Sequence, residues 1–183
     1  MDASAEVHMQ IKQMRVGLIG LGSVGQAVMR MLAERAPGDI EGVAALVRDP
    51  SRHRDCAIPN LVTTVEELVA TTPEVVIEAG GHRALREYGP AVLAAGCDLL
   101  MISVGALAEP DAERAIREAA EAGRSTARVI SGAIGGLDAI AAAAIGGLTS
   151  VTHTTRKPAS TLIAEDAASP VTEERELFRG TAR

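Results

Sequence analysis

The stretch that decides the fold is residues 16–32, "VGLIGLGSVGQAVMRML". An apolar run breaks into three glycines spaced G-x-G-x-x-G, at Gly20, Gly22 and Gly25, and a segment with helical spacing follows. Glycines at this spacing also mark ordinary turns, so the spacing alone is weak. Here it follows the first strand and opens a helix inside a strand-helix-strand unit, the context a dinucleotide cradle requires. Gly20 is expected to permit the tight turn, Gly22 to let the backbone approach a pyrophosphate, and Gly25 to let the helix pack on the strand. The amides around Ser23 and Val24 are expected to face the phosphates, where the positive end of the helix dipole favours an anion.

The rest of the chain agrees with that reading. It has 183 residues, 47% of them apolar, with one Phe, one Tyr and no Trp. Such a chain can hold one good core and part of a second domain. A core of Ala, Val, Leu and Ile suits helices packed closely on a parallel sheet. The formal charge is −6 and the basic residues form no long cluster. The expected partner is therefore a small neutral or anionic metabolite, with no nucleic acid and no membrane. Cys56 and Cys97 are far apart, without the spacing of metal ligands, and neither a signal peptide nor a membrane-length apolar run is evident. A cytoplasmic location and no metal are the expectations. Cys97 reads as a small buried residue at a strand entrance rather than a reactive thiol.

Residues 1–14 show no clean period and are expected to be a loose leader, with His8 solvated. From Arg15 onward short apolar runs alternate with longer helical ones. "RVGLIG", "GVAALV", "LVTT", "EVVIEAG", "DLLMIS" and "ARVIS" read as strands. Helices are expected near 24–35, 65–71, 83–95 and 110–122. Gly96 after a helix and Pro110 with Asp111 before the next are the punctuation that helix ends call for. This alternation gives an α/β fold, a Rossmann-type doubly wound parallel sheet over residues 15–132, with its crevice at the carboxyl ends of the strands. The run "AIAAAAI" is strong helix former. After Ser150 the pattern changes, and "VTHTT" is expected as a strand leaving the sheet. Residues 133–183 are thus expected to begin an α+β substrate or catalytic domain that is not completed by residue 183.

Which dinucleotide is bound depends on the end of the second strand, where "ALVRDPSRHR" places Arg48, Asp49, Arg52 and Arg54. An acidic residue there binds ribose hydroxyls, whereas an arginine pairs with a 2′-phosphate. The segment fits NADP, does not exclude NAD, and also suits solvated loop charges. At the next strand end, "VVIEAGGHRA" sets Glu78, Ala79, Gly80, Gly81 and His82 where the nicotinamide half of a cofactor would pass. His82 is a candidate contact or catalytic group, but a histidine at a helix start is more often a capping or packing residue. "MISVGAL" offers the Ser103 hydroxyl and the apolar Val104, and "ISGAIGGLDAI" offers Ala133, with Gly135 and Gly136 leading into a helix. Arg156 and Lys157 in "TRKPAS" could hold a dicarboxylic substrate and equally suit a solvated face. His153 is no better determined.

Taken together and in order, "GLIGLGSVG", "EAGGHRA", "ISVGAL", "SGAIGGLDA" and "TRKPAS" resemble the L-aspartate dehydrogenases among the NAD(P)-dependent amino-acid dehydrogenases. The glycine motif is generic, whereas "SVGAL", "GAIGGLDA" and "RKPAS" together are specific. The resemblance runs from about Arg15 to the last residue. It implies oxidation of L-aspartate to iminoaspartate with NAD or NADP, the imine yielding oxaloacetate and ammonia or entering pyridine nucleotide biosynthesis. It also implies a cofactor contact at Ala133 and a homo-oligomer at full length. The family's catalytic histidine and a cofactor-contacting asparagine lie in a further stretch after the point matching Arg183. Neither His82 nor His153 stands in that histidine's motif, so the resemblance assigns no catalytic residue within this chain and points to a shortened form. Two other readings stay open: a dinucleotide-binding module without turnover, and a related oxidoreductase acting on another small acid.

Overall fold

The computed structural model describes residues 13–35, 39–53, 60–130 and 136–158, together with 174, 176, 179 and 180. Two compact units divide the chain, residues 1–133 and 134–183.

Among the described residues the first unit is built on six strands: β1 (Met14–Ile19), β2 (Ile40–Leu46), β3 (Leu61–Val62), β4 (Val75–Glu78), β5 (Asp98–Met101) and β6 (Ala127–Val129). All pair in parallel, in the spatial order 3-2-1-4-5-6. This is the doubly wound Rossmann order expected from the sequence, with the order reversing between β1 and β4. The strand β1 begins at Met14, one residue inside the expected leader; residues 1–12, His8 among them, lie outside the described residues.

Among the described residues four α-helices belong to this unit: α1 (Ser23–Arg35), α2 (Val65–Ala70), α3 (His82–Ala94) and α4 (Pro110–Gly123). Each lies within about a residue of its expected range. Successive strand residues point to opposite faces, which sorts the helices. Ile19, Ala44, Leu46, Val76, Leu99 and Met101 face Leu68 of α2, Leu85, Val92 and Leu93 of α3, and Ile116 of α4. On the other face Leu18, Ala45, Val47 and Ile77 pack with Met29 of α1. The central strand is therefore apolar on both sides, as a doubly covered sheet requires. Local chemistry fixes the helix ends. Thr64 caps α2 in a reciprocal capping box with Glu67, and Pro110 stands in the first turn of α4. Cys97 is buried, and burial, followed by the charge of Asp98, pushes its thiol up, as the reading of an inert residue anticipates.

In the second unit α5 (Leu137–Ile145) covers the alanine run. Residues 151–158 are exposed and join no strand, which corrects the strand expected at "VTHTT". Thr-rich alternation favours extended backbone, but a strand exists only where a neighbour takes its N–H and C=O groups. No helix among the described residues is long and apolar enough to cross a membrane.

Candidate functional site

The turns that follow β1, β4 and β5 meet at the carboxyl edge of the sheet, at the point where strand order reverses. Each of the three motif glycines has a different environment. Gly20 sits at φ 86°, and a Cβ there would stand 2.5 Å from the Gly80 Cα and 2.9 Å from the Ala79 carbonyl oxygen. The turns after β1 and β4 thus touch backbone to backbone. Gly25 is buried, and a side chain on it would strike the Gly20 carbonyl oxygen and Leu18. Gly22 is the opposite case, since a Cβ there meets nothing within 4 Å. Two glycines are therefore demanded by the fold, and the third is left open toward solvent.

Gly22, Ser23 and Val24 are all exposed. Ser23, Val24 and Gly25 form the first turn of α1, so their amides have no carbonyl four residues back within the helix. That turn carries no acidic side chain. Open amides, a positive helix end and an unfilled space beside Gly22 are what a pyrophosphate needs, so the residues present fit a dinucleotide.

At the end of β2 the chain presents Arg48 and Asp49, both exposed. Asp49 Oδ1 accepts from the Ser51 N–H at 3.0 Å and from its hydroxyl at 2.6 Å, and Oδ2 lies 3.7 Å from Arg52 Nε. The Ser51 bonds, helped by the Arg52 charge, hold the Asp49 carboxyl below its ordinary range. Asp49 thus closes its own turn, while Arg48 stands one residue nearer the strand. Arg54 lies outside the described residues.

Beyond β4, the Ala79 N–H donates to the Ile19 carbonyl at 2.8 Å, continuing the sheet into the turn. Gly81, at φ 94°, is the N-cap of α3 and His82 its first residue. The His82 side chain is exposed and lies over Gly105, where a Cβ would come within 2.7 Å of its Nε2 and Cε1 atoms. It packs the turn after β4 against the turn after β5. The Ser103 hydroxyl donates to Glu78 at 2.9 Å, so that proton is already engaged and the hydroxyl can offer a ligand only its lone pairs. Glu78 itself is fully buried. The sequence sets it at the strand end without indicating a role. The signal was present: a lone acid in an apolar strand that the sheet buries must find donors.

Ala133 and Gly135 lie outside the described residues, and Gly136 caps α5 at φ 73°. In the second unit Arg156 and Lys157 are exposed, and Arg156 Nε pairs with Glu174 Oε1 at 2.7 Å. His153 Nε2 is 3.4 Å from the Thr155 hydroxyl.

Residues 20–129 match the family described as homoserine dehydrogenase, NAD binding domain. L-aspartate dehydrogenase 1 of Bordetella parapertussis is 41% identical over 170 residues, covering 93% of this chain and 64% of that protein. L-aspartate dehydrogenase of Cupriavidus necator is 33% identical over 177 residues, covering 93% and 66%. The chain thus spans about two thirds of the length of these curated relatives. Their similarity bears out the resemblance drawn from the motifs. Among solved structures, aspartate dehydrogenase of Thermotoga maritima aligns with a TM-score of 0.55 at 22% identity, over 72% of this chain and 51% of that one. The WlbA dehydrogenase of Bordetella pertussis, in complex with NADH and UDP-GlcNAcA, aligns with a TM-score of 0.59 at 14% identity, over 74% and 43%. At these identities the likeness shows the fold.

Proposed function

The chain belongs to the homoserine dehydrogenase NAD-binding domain family, and from that premise we propose that residues 15–132 bind NAD or NADP in an enzyme that oxidises L-aspartate to iminoaspartate. The observation that carries the cofactor assignment is the contrast among the glycines: Gly20 and Gly25 are closed in by the protein, whereas Gly22 faces open space at a helix N-terminus. The substrate assignment rests on the similarity to L-aspartate dehydrogenases.

In this reading the amides of Ser23 and Val24 hold the pyrophosphate. Arg48 reaches the adenosine ribose and its 2′-phosphate when one is present, with Asp49 withdrawn into its own turn. Ala79, Gly80 and Ser103 form the edge along the nicotinamide half, and Ala133 is a further contact. The bound dinucleotide supplies the hydride acceptor for the amino acid's Cα, and the amine's proton passes to a base. The protein's part is position and exclusion of water. Arg156 and Lys157 are the candidates for the substrate carboxylates. His82, packed on Gly105, serves first to join two turns. The product's imine is a precursor suited to pyridine nucleotide synthesis, and a cytoplasmic setting suits a chain whose Cys97 is free and buried.

Calorimetric titration of the 183-residue chain with NAD and NADP tests the cofactor reading, which fails if neither binds. Reduced nicotinamide appearing with aspartate, but not with a panel of other amino acids, tests the substrate reading in a chain extended to the relatives' length. Turnover with another acid instead of aspartate overturns it.

A further inference from the structure

Glu78 ends β4 on the face that carries Val76, and its side chain is fully buried. Four donors converge on its carboxylate. Oε1 accepts from the N–H groups of Gly80 at 2.8 Å and Gly81 at 2.9 Å and from the Ser103 hydroxyl at 2.9 Å. Oε2 accepts from the Ser103 N–H at 2.9 Å. Three of the four are backbone amides, in two turns far apart in the chain and adjacent in space. The sheet brings them together, since Glu78 pairs in register with Met101 of β5 and with Ile19 of β1.

A buried carboxylate is costly unless its lone pairs are filled. Here they are filled by the backbone of the turns that flank the dinucleotide crevice. The arrangement also demands an acceptor at both oxygens, which a carboxylate offers and an amide does not. The nearby apposition of Gly20 on Gly80 passes the position of the turn after β4 to the turn that opens the cradle. From these contacts we propose that Glu78 is a positioning residue for the nicotinamide half of the bound dinucleotide: by accepting from Gly80, Gly81 and Ser103 together, it makes residues 79–81 and 103–105 one preformed edge. The inference rests on the reading of the crevice as a dinucleotide site.

The chosen variant is Glu78→Gln. Its amide oxygen can take the place of Oε1 and keep Gly80, Gly81 and the Ser103 hydroxyl, but its NH2 group then faces the Ser103 N–H, donor against donor. Turned the other way, it opposes Gly80 and Gly81 instead. The first arrangement loses only the Ser103 N–H pairing and is favoured, so the Ser103 amide is released while the turn after β4 stays held. The probes are NAD, NADP and ADP-ribose, the last containing every part of NAD except the nicotinamide ring. We expect Glu78→Gln to bind the preferred dinucleotide about tenfold more weakly, on the scale of one buried donor left unpaired. It should bind ADP-ribose within about twofold of wild type, and the Ser103 amide should lose protection against hydrogen exchange.

Equal losses for dinucleotide and ADP-ribose mean a merely structural role and overturn the proposal. Unchanged dinucleotide affinity in the folded variant also overturns it. Wild-type protein that binds none of the three probes overturns the dinucleotide reading itself, and the positioning role falls with it. Should Glu78→Gln fail to fold, the wild type still decides. A preformed edge requires slow exchange at the amides of Gly80, Gly81 and Ser103 in the ligand-free protein, and rapid exchange there refutes it.

Discussion

Replacing Gly22 by Val separates ligand space from folding space better than any other change in the glycine turn. A Cβ at Gly22 meets nothing within 4 Å, and the residue is not among the glycines with positive φ. The new side chain therefore strikes no protein atom close by and needs no forbidden backbone. Stability should stay within about 1 kcal/mol of wild type, or about 4 °C in Tm for a domain of this size. Val at Gly20 would combine a φ of 86° with a Cβ 2.5 Å from the Gly80 Cα, and at Gly25 it would meet the Gly20 carbonyl oxygen. Both of those variants lose binding by losing the fold, so neither is informative about a ligand. At Gly22 the branched carbons occupy the space beside the α1 amides instead. Overpacking of about 1–3 kcal/mol, added to the loss of one or more amide contacts, predicts at least a hundredfold weaker dinucleotide binding, about 2.8 kcal/mol. Calorimetric titration with NAD and NADP, beside a thermal melt of the same sample, measures both quantities. A folded Gly22→Val protein with wild-type affinity would refute the cradle.

Other outcomes follow from the surrounding residues. Arg48→Asp should weaken NADP relative to NAD, because a repelling carboxylate replaces the cation at the end of β2; an unmoved ratio of the two affinities would show that Arg48 points elsewhere. Thr64→Ala should cost about 1 kcal/mol through loss of the α2 cap, read from the denaturant midpoint. Backbone bonds from Thr63, then Thr64, hold the Glu67 carboxyl below its ordinary range. Its contribution to stability is thus full above that range and is lost as pH falls through the lowered value. Glu67→Gln should accordingly melt below wild type at neutral pH and converge with it in acid, and a gap that persists in acid would contradict this. Alkylation at Cys97, followed by peptide mapping at neutral pH, should be at least about tenfold slower in the folded protein than in denaturant, since burial disfavours the thiolate.

Much of the first unit could be read from local pattern. The apolar runs "VGLI" and "AAL" are buried, and "VVI" partly so, on a doubly covered parallel sheet, and the punctuation at Gly96 and Pro110 places helix ends to about a residue. The three motif glycines, read for turn, approach and packing, sit in environments that suit those separate tasks. Partners far apart in the chain left no such trace. The sequence offers the Ser103 hydroxyl as a contact but gives no sign that its proton is committed to Glu78, a pairing that only strand register creates. Asp49 carried the opposite lesson, because its bond to Ser51 is local and "RDPS" is a turn sequence. The strand expected at "VTHTT" failed for a third reason. Composition sets the preference for extended backbone, whereas pairing depends on what lies alongside.

The backbone contact between Gly20 and Gly80 also constrains the order in which the domain can assemble. Strand β1 lies between β2 and β4, so the glycine turn gains its second wall only after residues 75–81 have been made and docked. The far edge waits longer, for Ser103 to reach the Glu78 carboxylate. Parallel pairing over such distances is slow, because the loops between strands must close before any contact compensates for their lost freedom. During synthesis the chain therefore carries "GLGSVG" for some time as an unfinished turn. A dinucleotide present in that interval would meet an incomplete crevice, so its stabilising effect is expected on the completed domain.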